Sequence, residues 1–349
     1  MSAPWPTPRQ EGMLRLVLSG DEVGARWRAL QPLDLNELDP GTFCLLPLLH
    51  TRLAAAGIDD PLADRIAGTF RSTWYRSQIA LRRLAGLSSE LGAAGVDALV
   101  IGGASVTSRF YPQVGLRPLP QLDIAVQPED ATAARRVVEQ AGEWRSRLDR
   151  PSYSRFEDRD RFVVVLHVGM PSHAVGGRRA PEVLRTLRAR GTTVDLDSAT
   201  IRVLAPADEL ALTCGLGARA TSPPSIQWLL DAAFVAQSDS LVPAEAAAAA
   251  EEVALVAASR ATMRYLRTVM ATAKIDEVAR ALDRAGAGRR ETLAYRLGAR
   301  GDSLSQGLAA YFRGAAGEPV AVALREMPRE LRRVDAAGWA RRAFSAGRR

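Results

Sequence analysis

The sequence predicts an α/β (α+β) fold in which a small mixed β-sheet lies between N-terminal helices and a mostly helical C-terminal half. A strand, a glycine turn, a helix and a second strand follow one another over residues 98–126. A β-branched run at 162–166 and an alternating hairpin pattern at 192–203 supply further strands. Residues 61–94 and those after Asp208 instead repeat apolar side chains at helical spacing.

Size and composition indicate a globular protein with some affinity for anions. The chain has 349 residues, 47% of them hydrophobic, which is enough for a sizeable core. Its net charge of +7 suits a phosphate-rich or acidic partner. Every basic residue except Lys274 is an arginine, an excess that we attribute mainly to the coding bias of a GC-rich genome. The basic residues are scattered and aromatic residues make up only 6%, so nucleic acid is disfavoured as a ligand.

Neither the cysteines nor the chain start indicates a metal cluster, a disulfide framework or a membrane anchor. Cys44 and Cys214 lie far apart. Residues 1–11 are proline-rich and polar, and no apolar stretch is long enough to cross a bilayer. We therefore expect a cytoplasmic protein that does not associate with membranes.

Four regions follow in order. Residues 1–12 are a flexible lead, 13–96 an N-terminal helical region, 97–205 the α/β core and 206–349 a helical C-terminal region. In the first helical region the pattern predicts a helix over 13–30, a loop feeding a helix interrupted near Pro47, and a long helix over 61–94. In the last it predicts helices over 208–219, 225–237, 243–272 and 275–287, with a junction at 222–224 and an arginine-rich end over 329–349.

The glycine turn of the core is the first candidate for a binding site. The strand at 98–101 breaks at Gly102 and Gly103 into a helix, and the next strand, 122–126, carries one acid, Asp123. Glycines let the backbone approach a ligand closely, and the amides that open a helix commonly hold phosphate. Asp123 then lies where a metal bridging that phosphate would bind. The alternative is a structural ion pair with Arg109 or Arg117, because an unpaired buried carboxylate is costly.

The charged stretch at 145–161 is either a solvated hairpin or an active-site flap, and we favour the hairpin. Its acids Glu157, Asp158 and Asp160 precede the strand at 162–166 and should lie near the far end of that strand. The basic glycine turn at 176–179 is interpreted as an exposed loop.

Taken together, these motifs resemble the uncharacterised nucleotidyltransferases of the nucleotidyltransferase-like (polymerase-β-like) superfamily. The likeness runs in order over roughly residues 30–240. The matching segments are Gly103–Ser105, Tyr111-Pro112, Gly115–Pro118, Gln121–Asp130, Leu166-His167, Val203–Leu210 and Trp228–Asp231. The resemblance implies a nucleotidyltransferase-like core with a ligand cleft between the sheet and the C-terminal helices.

The departures from the family pattern concern the metal site. The superfamily uses two carboxylates at alternate positions of one strand, which share a face, and a third on a neighbouring strand. In this chain those positions are Gln121, Asp123 and Val165, and Gly102 replaces a lysine found in many members. Glutamine offers only a neutral oxygen and valine offers no ligand at all. The resemblance therefore implies a degenerate metal site, with His167 on the same side of its strand as Val165.

If the chain is active, the resemblance implies transfer of a nucleoside monophosphate from an NTP to a small molecule or peptide, with Mg²⁺ as cofactor. Family members frequently accompany specialised-metabolite and peptide-modification genes. Asp123 would hold Mg²⁺ with help from Gln121, and His167 would orient or deprotonate the acceptor. Gly102, Gly103 and Ser105 would contact the phosphate, and Arg109 and Arg117 would neutralise its charge. Tyr111 and Asp231 would contact the acceptor or ligand.

A second hypothesis remains open. The fold has then lost its original chemistry and binds a metabolite, a peptide or a partner enzyme, or performs a metal-independent reaction. An apolar environment around Val165 would favour this hypothesis, whereas an acid brought in from another segment would favour the enzyme. A nucleic-acid-binding accessory would instead need arginines clustered on one surface.

Overall fold

The computed structural model describes residues 4–19, 22–141, 144–176, 179–197, 199–219, 225–300 and 303–314. The predicted junction at 222–224 and the arginine-rich end at 329–349 lie outside the described residues, as does part of the glycine turn at 176–179.

The N-terminal region is helical. Its helices are α1 (Pro8–Ser19), α2 (Val23–Ala29), α3 (Pro40–Phe43), α4 (Leu46–Ala55) and α5 (Ala63–Ala93). The Asp39 carboxylate caps α3 by accepting the backbone N–H of Thr42 at 3.0 Å. The predicted interruption near Pro47 is the break between α3 and α4, and α5 covers nearly the whole stretch predicted as one long helix.

The core contains one mixed sheet. Its strands are β1 (Leu99–Ile101), β2 (Leu122–Val126), β3 (Arg145–Arg150), β4 (Tyr153–Glu157), β5 (Val163–Val168), β6 (Thr192–Leu196) and β7 (Ala199–Val203). They form a seven-stranded sheet in the order β3-β4-β5-β2-β1-β7-β6. β2 is antiparallel to β1 and parallel to β5, while β1 is parallel to β7. The mixed sheet is confirmed, and it is larger than the small sheet expected because the charged stretch at 145–157 adds a hairpin to its edge.

Helices connect the strands and cover the sheet. α6 (Gly103–Phe110) joins β1 to β2, α7 (Ala131–Gln140) joins β2 to β3, and α8 (Ser172–Val175) and α9 (Ala180–Ala189) join β5 to β6. Successive side chains along β1 and β2 alternate between two hydrophobic clusters. Val100 and Ile124 pack with α5 and α7 on one face, whereas Ile101 and Ala125 pack with the terminal helical regions on the other.

The described part of the C-terminal region, up to Gly314, is mostly helical, as predicted. Its helices are α10 (Pro206–Gly217), α11 (Gln227–Gln237), α12 (Pro243–Glu252), α13 (Val256–Val269), α14 (Ala273–Arg284), α15 (Arg289–Gly298) and α16 (Ser303–Gly314). The single helix predicted over 243–272 is wrong, because α12 ends before Ala254, whose φ of 58° is left-handed. The break lets the Leu255 side chain pack against Gly215 of α10. None of the helices in the described ranges combines the length and apolarity that a bilayer crossing requires.

Candidate active site

The register of the sheet places Asp123 and His167 on one face. Asp123 of β2 lies opposite Ile101 of β1 and Val165 of β5. His167 follows Val165 by two positions, so its side chain leaves the same face of the sheet. Paired residues on neighbouring strands also share a face, which brings Arg155 of β4 next to Val165.

The three residues predicted to be catalytic lie together. His167 Nε2 is 2.9 Å from Asp123 Oδ1. Gln121 Nε2 donates to both Asp123 carboxylate oxygens, at 2.8 and 3.0 Å. The partners of the Asp123 carboxylate are thus an amide and an imidazole. Asp123 forms no ion pair with an arginine anywhere in the described chain.

The glycine turn approaches this carboxylate closely. Gly102 has a φ of 64°, a left-handed conformation that favours glycine. A Cβ atom at this position would lie 3.7 Å from Asp123 Oδ2. Since α6 begins at Gly103, the backbone N–H groups of its first turn have no intrahelical acceptor. The sequence therefore assembles a carboxylate, an imidazole and a helix N-terminus at one point.

Behind the turn lies a buried ion pair. The Arg117 guanidinium donates through Nε to Asp231 Oδ1 at 2.8 Å and through its terminal nitrogen to Oδ2 at 2.7 Å. Tyr111 donates its hydroxyl to Asp231 Oδ1 at 2.8 Å. A Cβ atom at Gly103 would collide with the Arg117 guanidinium, so the ion pair supports the turn directly.

Electrostatics within this cluster favour the charged pair. Burial opposes the Arg117 charge, but the Asp231 carboxylate more than offsets that effect and raises the Arg117 pKa above its usual range. Burial, followed by the same carboxylate, raises the pKa of Tyr111 well above its ordinary value. The side chains of Arg117, Tyr111 and Asp231 thus contact one another in this arrangement, and Arg117 and Asp231 also line the cavity described below.

Two predicted phosphate contacts point elsewhere. The Ser105 hydroxyl is fully buried and donates to Glu209 Oε2 at 2.5 Å. Arg109 donates to the Leu204 carbonyl at 2.5 Å and its guanidinium lies 4.6 Å from the centre of the Phe110 ring. The two residues are four apart on α6 and so share one helix face. α6 contacts α11, and through Ser105 this face also reaches Glu209 of α10.

Sequence reasoning missed Glu209 as a functional-group candidate. Burial raises the pKa of this carboxyl to about 7, and the hydrogen bond from Ser105 and the charge of Arg109 only partly oppose the shift. Its Oε1 atom has no hydrogen-bond partner within the described chain. An acid at the predicted start of a helix is commonplace, and the sequence held no signal that this one is buried.

A cavity of about 900 Å³ is bordered by the glycine turn, Asp123 and the Arg117–Asp231 pair. It lies between the glycine turn, the α3 region and the facing ends of α10 and α11. Its lining includes Gly102, Asp123, Arg219, Gln227 and Trp228. A groove of about 1170 Å³ runs between α12 and α14. It is bordered by alanines and by charges such as Asp283, which pairs with Arg264, so we place the site in the smaller cavity.

No acid replaces the missing carboxylates in the described structure. Asp158 is buried in an ion pair with Arg83, which also binds Asp160 at 2.6 Å. Glu157 lies opposite Val163 and pairs with Arg147 at 3.5 Å. No cluster of three histidines, cysteines or acids suitable for a metal occurs among the residues described. The donor set fits one Mg²⁺ ion held by Asp123 and substrate oxygens, and it does not fit a two-metal centre.

The fold is that of an α/β protein with a mixed sheet, and its candidate site carries one carboxylate, Asp123, beside a glycine turn. The model of a family described as uncharacterised nucleotidyltransferase matches residues 44–271, more than half of the chain. The chain therefore belongs to this family.

Among solved structures, the chain is similar to the crystal structure of an antigenic nucleotidyltransferase-like protein from Paracoccidioides brasiliensis. It is 12% identical, with a TM-score of 0.37, and the alignment covers 60% of this chain and 94% of that one. A search of curated proteins gave no match.

Proposed function

We propose that the protein binds a nucleoside triphosphate in the cavity and transfers its nucleoside monophosphate to a hydroxyl group of a small molecule or peptide. The observation that carries the proposal is the cluster of Asp123, Gln121 and His167 beside the Gly102 turn. Asp123, Gln121 and the glycine turn line the cavity and offer a metal-binding carboxylate and helix amides for phosphate. His167 contacts Asp123 and offers a proton acceptor.

Asp123 would hold one Mg²⁺ ion, which typically binds one or two carboxylates together with substrate phosphates. The amide nitrogen of Gln121 faces Asp123, so rotating the amide would present its oxygen to the ion instead. The ion supplies charge neutralisation to the phosphates. At Val165 the neighbouring strand presents an arginine rather than an acid, which argues against a second ion.

His167 is suited to move the proton of the acceptor. A tautomer that donates from Nε2 to Asp123 leaves Nδ1 as a proton acceptor. In the proposed transfer, the acceptor oxygen bonds to the α-phosphorus as its proton passes to His167. The bond from that phosphorus to the bridging oxygen breaks, and pyrophosphate leaves.

A second candidate function is ligand binding without transfer. It is favoured by the environment of Val165, which is 7% exposed and lies beside Arg155. Such a site would bind its ligand without a metal, and Asp123 would act as a hydrogen-bond acceptor only.

Calorimetric titration with ATP, CTP, GTP and UTP, with and without Mg²⁺, separates the two functions. We expect Mg²⁺-dependent binding that weakens at least about tenfold in Asp123→Ala, since a charged ligand contact is lost. Asp239→Ala is the matched control, because Asp239 is an exposed acid between α11 and α12, remote from the cluster.

Pyrophosphate release in the presence of candidate acceptors then tests transfer. Failure of the wild-type chain to bind any of the four nucleotides would reject the proposal. Binding that needs no Mg²⁺ and survives Asp123→Ala would favour the second function.

A further inference from the structure

The end of the cavity formed by α10 and α11 carries a positive charge that no acid in the described chain neutralises. Arg219 follows α10 and lines the cavity. Its Nε donates to the Leu216 carbonyl at 3.0 Å, and the described residues include no carboxylate that pairs with it. Burial lowers the pKa of Arg219, as expected for a cation without a counter-ion. Arg117 lines the same cavity, yet its charge is matched by Asp231.

A second cation, Arg313, lies near enough to Arg219 for their charges to interact. Burial and the charge of Arg219 together lower the pKa of Arg313, on α16, to about 10. An anion beside Arg219 would reduce the repulsion between the two guanidinium groups. The position therefore selects for negative ligands.

Two further polar atoms at this end lack partners. Trp228 is only 7% exposed, and its Nε1–H has no acceptor among the residues described. The ring is held in place because it lies against Gly217, where a Cβ atom would collide with the indole. Gln227 Oε1 is likewise buried without a donor in the described structure. Both residues line the cavity, and buried polar groups normally have hydrogen-bond partners.

The nucleotide does not account for this charge. Its phosphates are assigned to the Gly102 turn and Asp123, on the sheet side of the cavity, and the compensated Arg117–Asp231 pair also lines the wall. The volume of about 900 Å³ is near the upper end of the usual range for small-molecule sites, so a second ligand fits.

We infer that Arg219 and the Trp228 indole N–H form a subsite for an anionic group, a carboxylate or a phosphate, on a second ligand. Given the proposed function, that ligand is the acceptor, which would enter with its anionic end toward α10 and its hydroxyl toward Asp123. A guanidinium and an indole N–H provide the donors that two oxygens of such a group require.

The test uses the full chain and three probes that share a phenyl ring: benzoate, phenyl phosphate and neutral benzamide. Binding is measured by ligand-observed NMR with and without saturating Mg–ATP, for the wild type, Arg219→Gln and the control Arg185→Gln. Arg185 is exposed on α9, away from the cavity. Thermal melts confirm that each variant is folded, and Arg219→Lys tests whether charge alone suffices.

We expect the wild type and Arg185→Gln to prefer one anionic probe over benzamide by about tenfold, as charged hydrogen bonds allow. In Arg219→Gln the preference should fall below about twofold, and Mg–ATP affinity should not change. The stronger of the two anionic probes identifies the group as carboxylate or phosphate. Retention of binding alongside Mg–ATP supports a separate subsite.

An anion preference that survives Arg219→Gln, or no preference in the wild type, would overturn the subsite. Displacement of the anionic probe by Mg–ATP would also overturn it, because the probe would then occupy the triphosphate position. Arg219-dependent anion binding by a chain that binds no nucleotide would support the subsite and reject the nucleotidyltransferase proposal. Intact Mg–ATP binding without any anion preference would reject the subsite and leave the nucleotidyltransferase proposal standing.

Discussion

Asp123 and Asp231 line the same cavity, but the protein treats their charges differently. Asp231 accepts both arms of the Arg117 fork and a tyrosine hydroxyl, and it is 5% exposed. Among the described residues, the side-chain partners of Asp123 are Gln121 and His167. A carboxylate matched by arginine inside a protein serves the structure, because leaving either partner alone there is costly. A carboxylate whose partners are an amide and an imidazole keeps its negative potential available to a ligand.

The largest expected effect comes from a substitution that breaks the Arg117–Asp231 ion pair. Asp231→Ala would leave the Arg117 guanidinium buried without its counter-ion, and we expect the free energy of unfolding to fall by about 3–5 kcal/mol. Urea denaturation followed by circular dichroism measures this loss. The double variant Arg117→Leu/Asp231→Leu is the control, since it removes both charges and should lose less than Asp231→Ala. A loss below about 1 kcal/mol for Asp231→Ala would show that the pair does not support the structure.

Glu209 is a third acid, buried near the other two but only partly compensated, and it should make stability depend on pH. Its folded pKa of about 7 lies above the ordinary value of 4.5, so the folded protein holds this proton more tightly than the unfolded chain. Stability from this group is complete below about pH 4.5 and falls as pH rises toward 7, by about 3 kcal/mol at most.

Unfolding curves measured between pH 4.5 and 8 test the direction of this dependence. Glu209→Gln keeps an acceptor for Ser105 and should flatten the dependence across that window. A slope unchanged in the variant would mean that another group titrates there.

A substitution at Gly103 tests whether the Arg117–Asp231 pair packs against the glycine turn. Gly103→Ala places a methyl group against the Arg117 guanidinium, and overpacking of this kind costs about 1–3 kcal/mol. Gly86 of α5 is the matched control, because no atom lies within 4 Å of a Cβ added there. Gly86→Ala should stabilise the protein by about 0.5–1 kcal/mol. Equal changes in the two variants would remove the argument that Arg117 packs against the turn.

The sequence allowed the prediction of features that follow from local period and order. The alternation along β2 and β5 put Asp123 and His167 on one face, and the glycine pair marked the start of α6. The Arg117–Asp231 pair joins residues far apart in the chain, and no local pattern identifies such partners. The directions of Ser105 and Arg109 depended on which face of α6 meets α10 and α11, which tertiary packing decides.

The same reasoning explains the error over 243–272. A left-handed turn at Ala254 is stabilised by the packing of Leu255 against Gly215, a contact that the helical period cannot reveal. The departures at Gln121 and Val165 were visible in the sequence, but their consequence was not. Whether another acid replaces the missing carboxylates depends on ion pairs: Arg83 pairs with Asp158 and Arg147 pairs with Glu157, so these acids are not available to the site.

The smallest expected effect on stability is at Asp123 itself, and it sharpens the comparison most. Asp123→Asn keeps the size of the side chain and a hydrogen-bonding oxygen for Gln121, so the free energy of unfolding should change by less than about 1 kcal/mol. Urea denaturation beside Asp231→Ala measures the contrast between two acids of one cavity. If Asp123→Asn destabilised the protein as much as Asp231→Ala, Asp123 would be a structural residue, and its charge would not be reserved for a ligand.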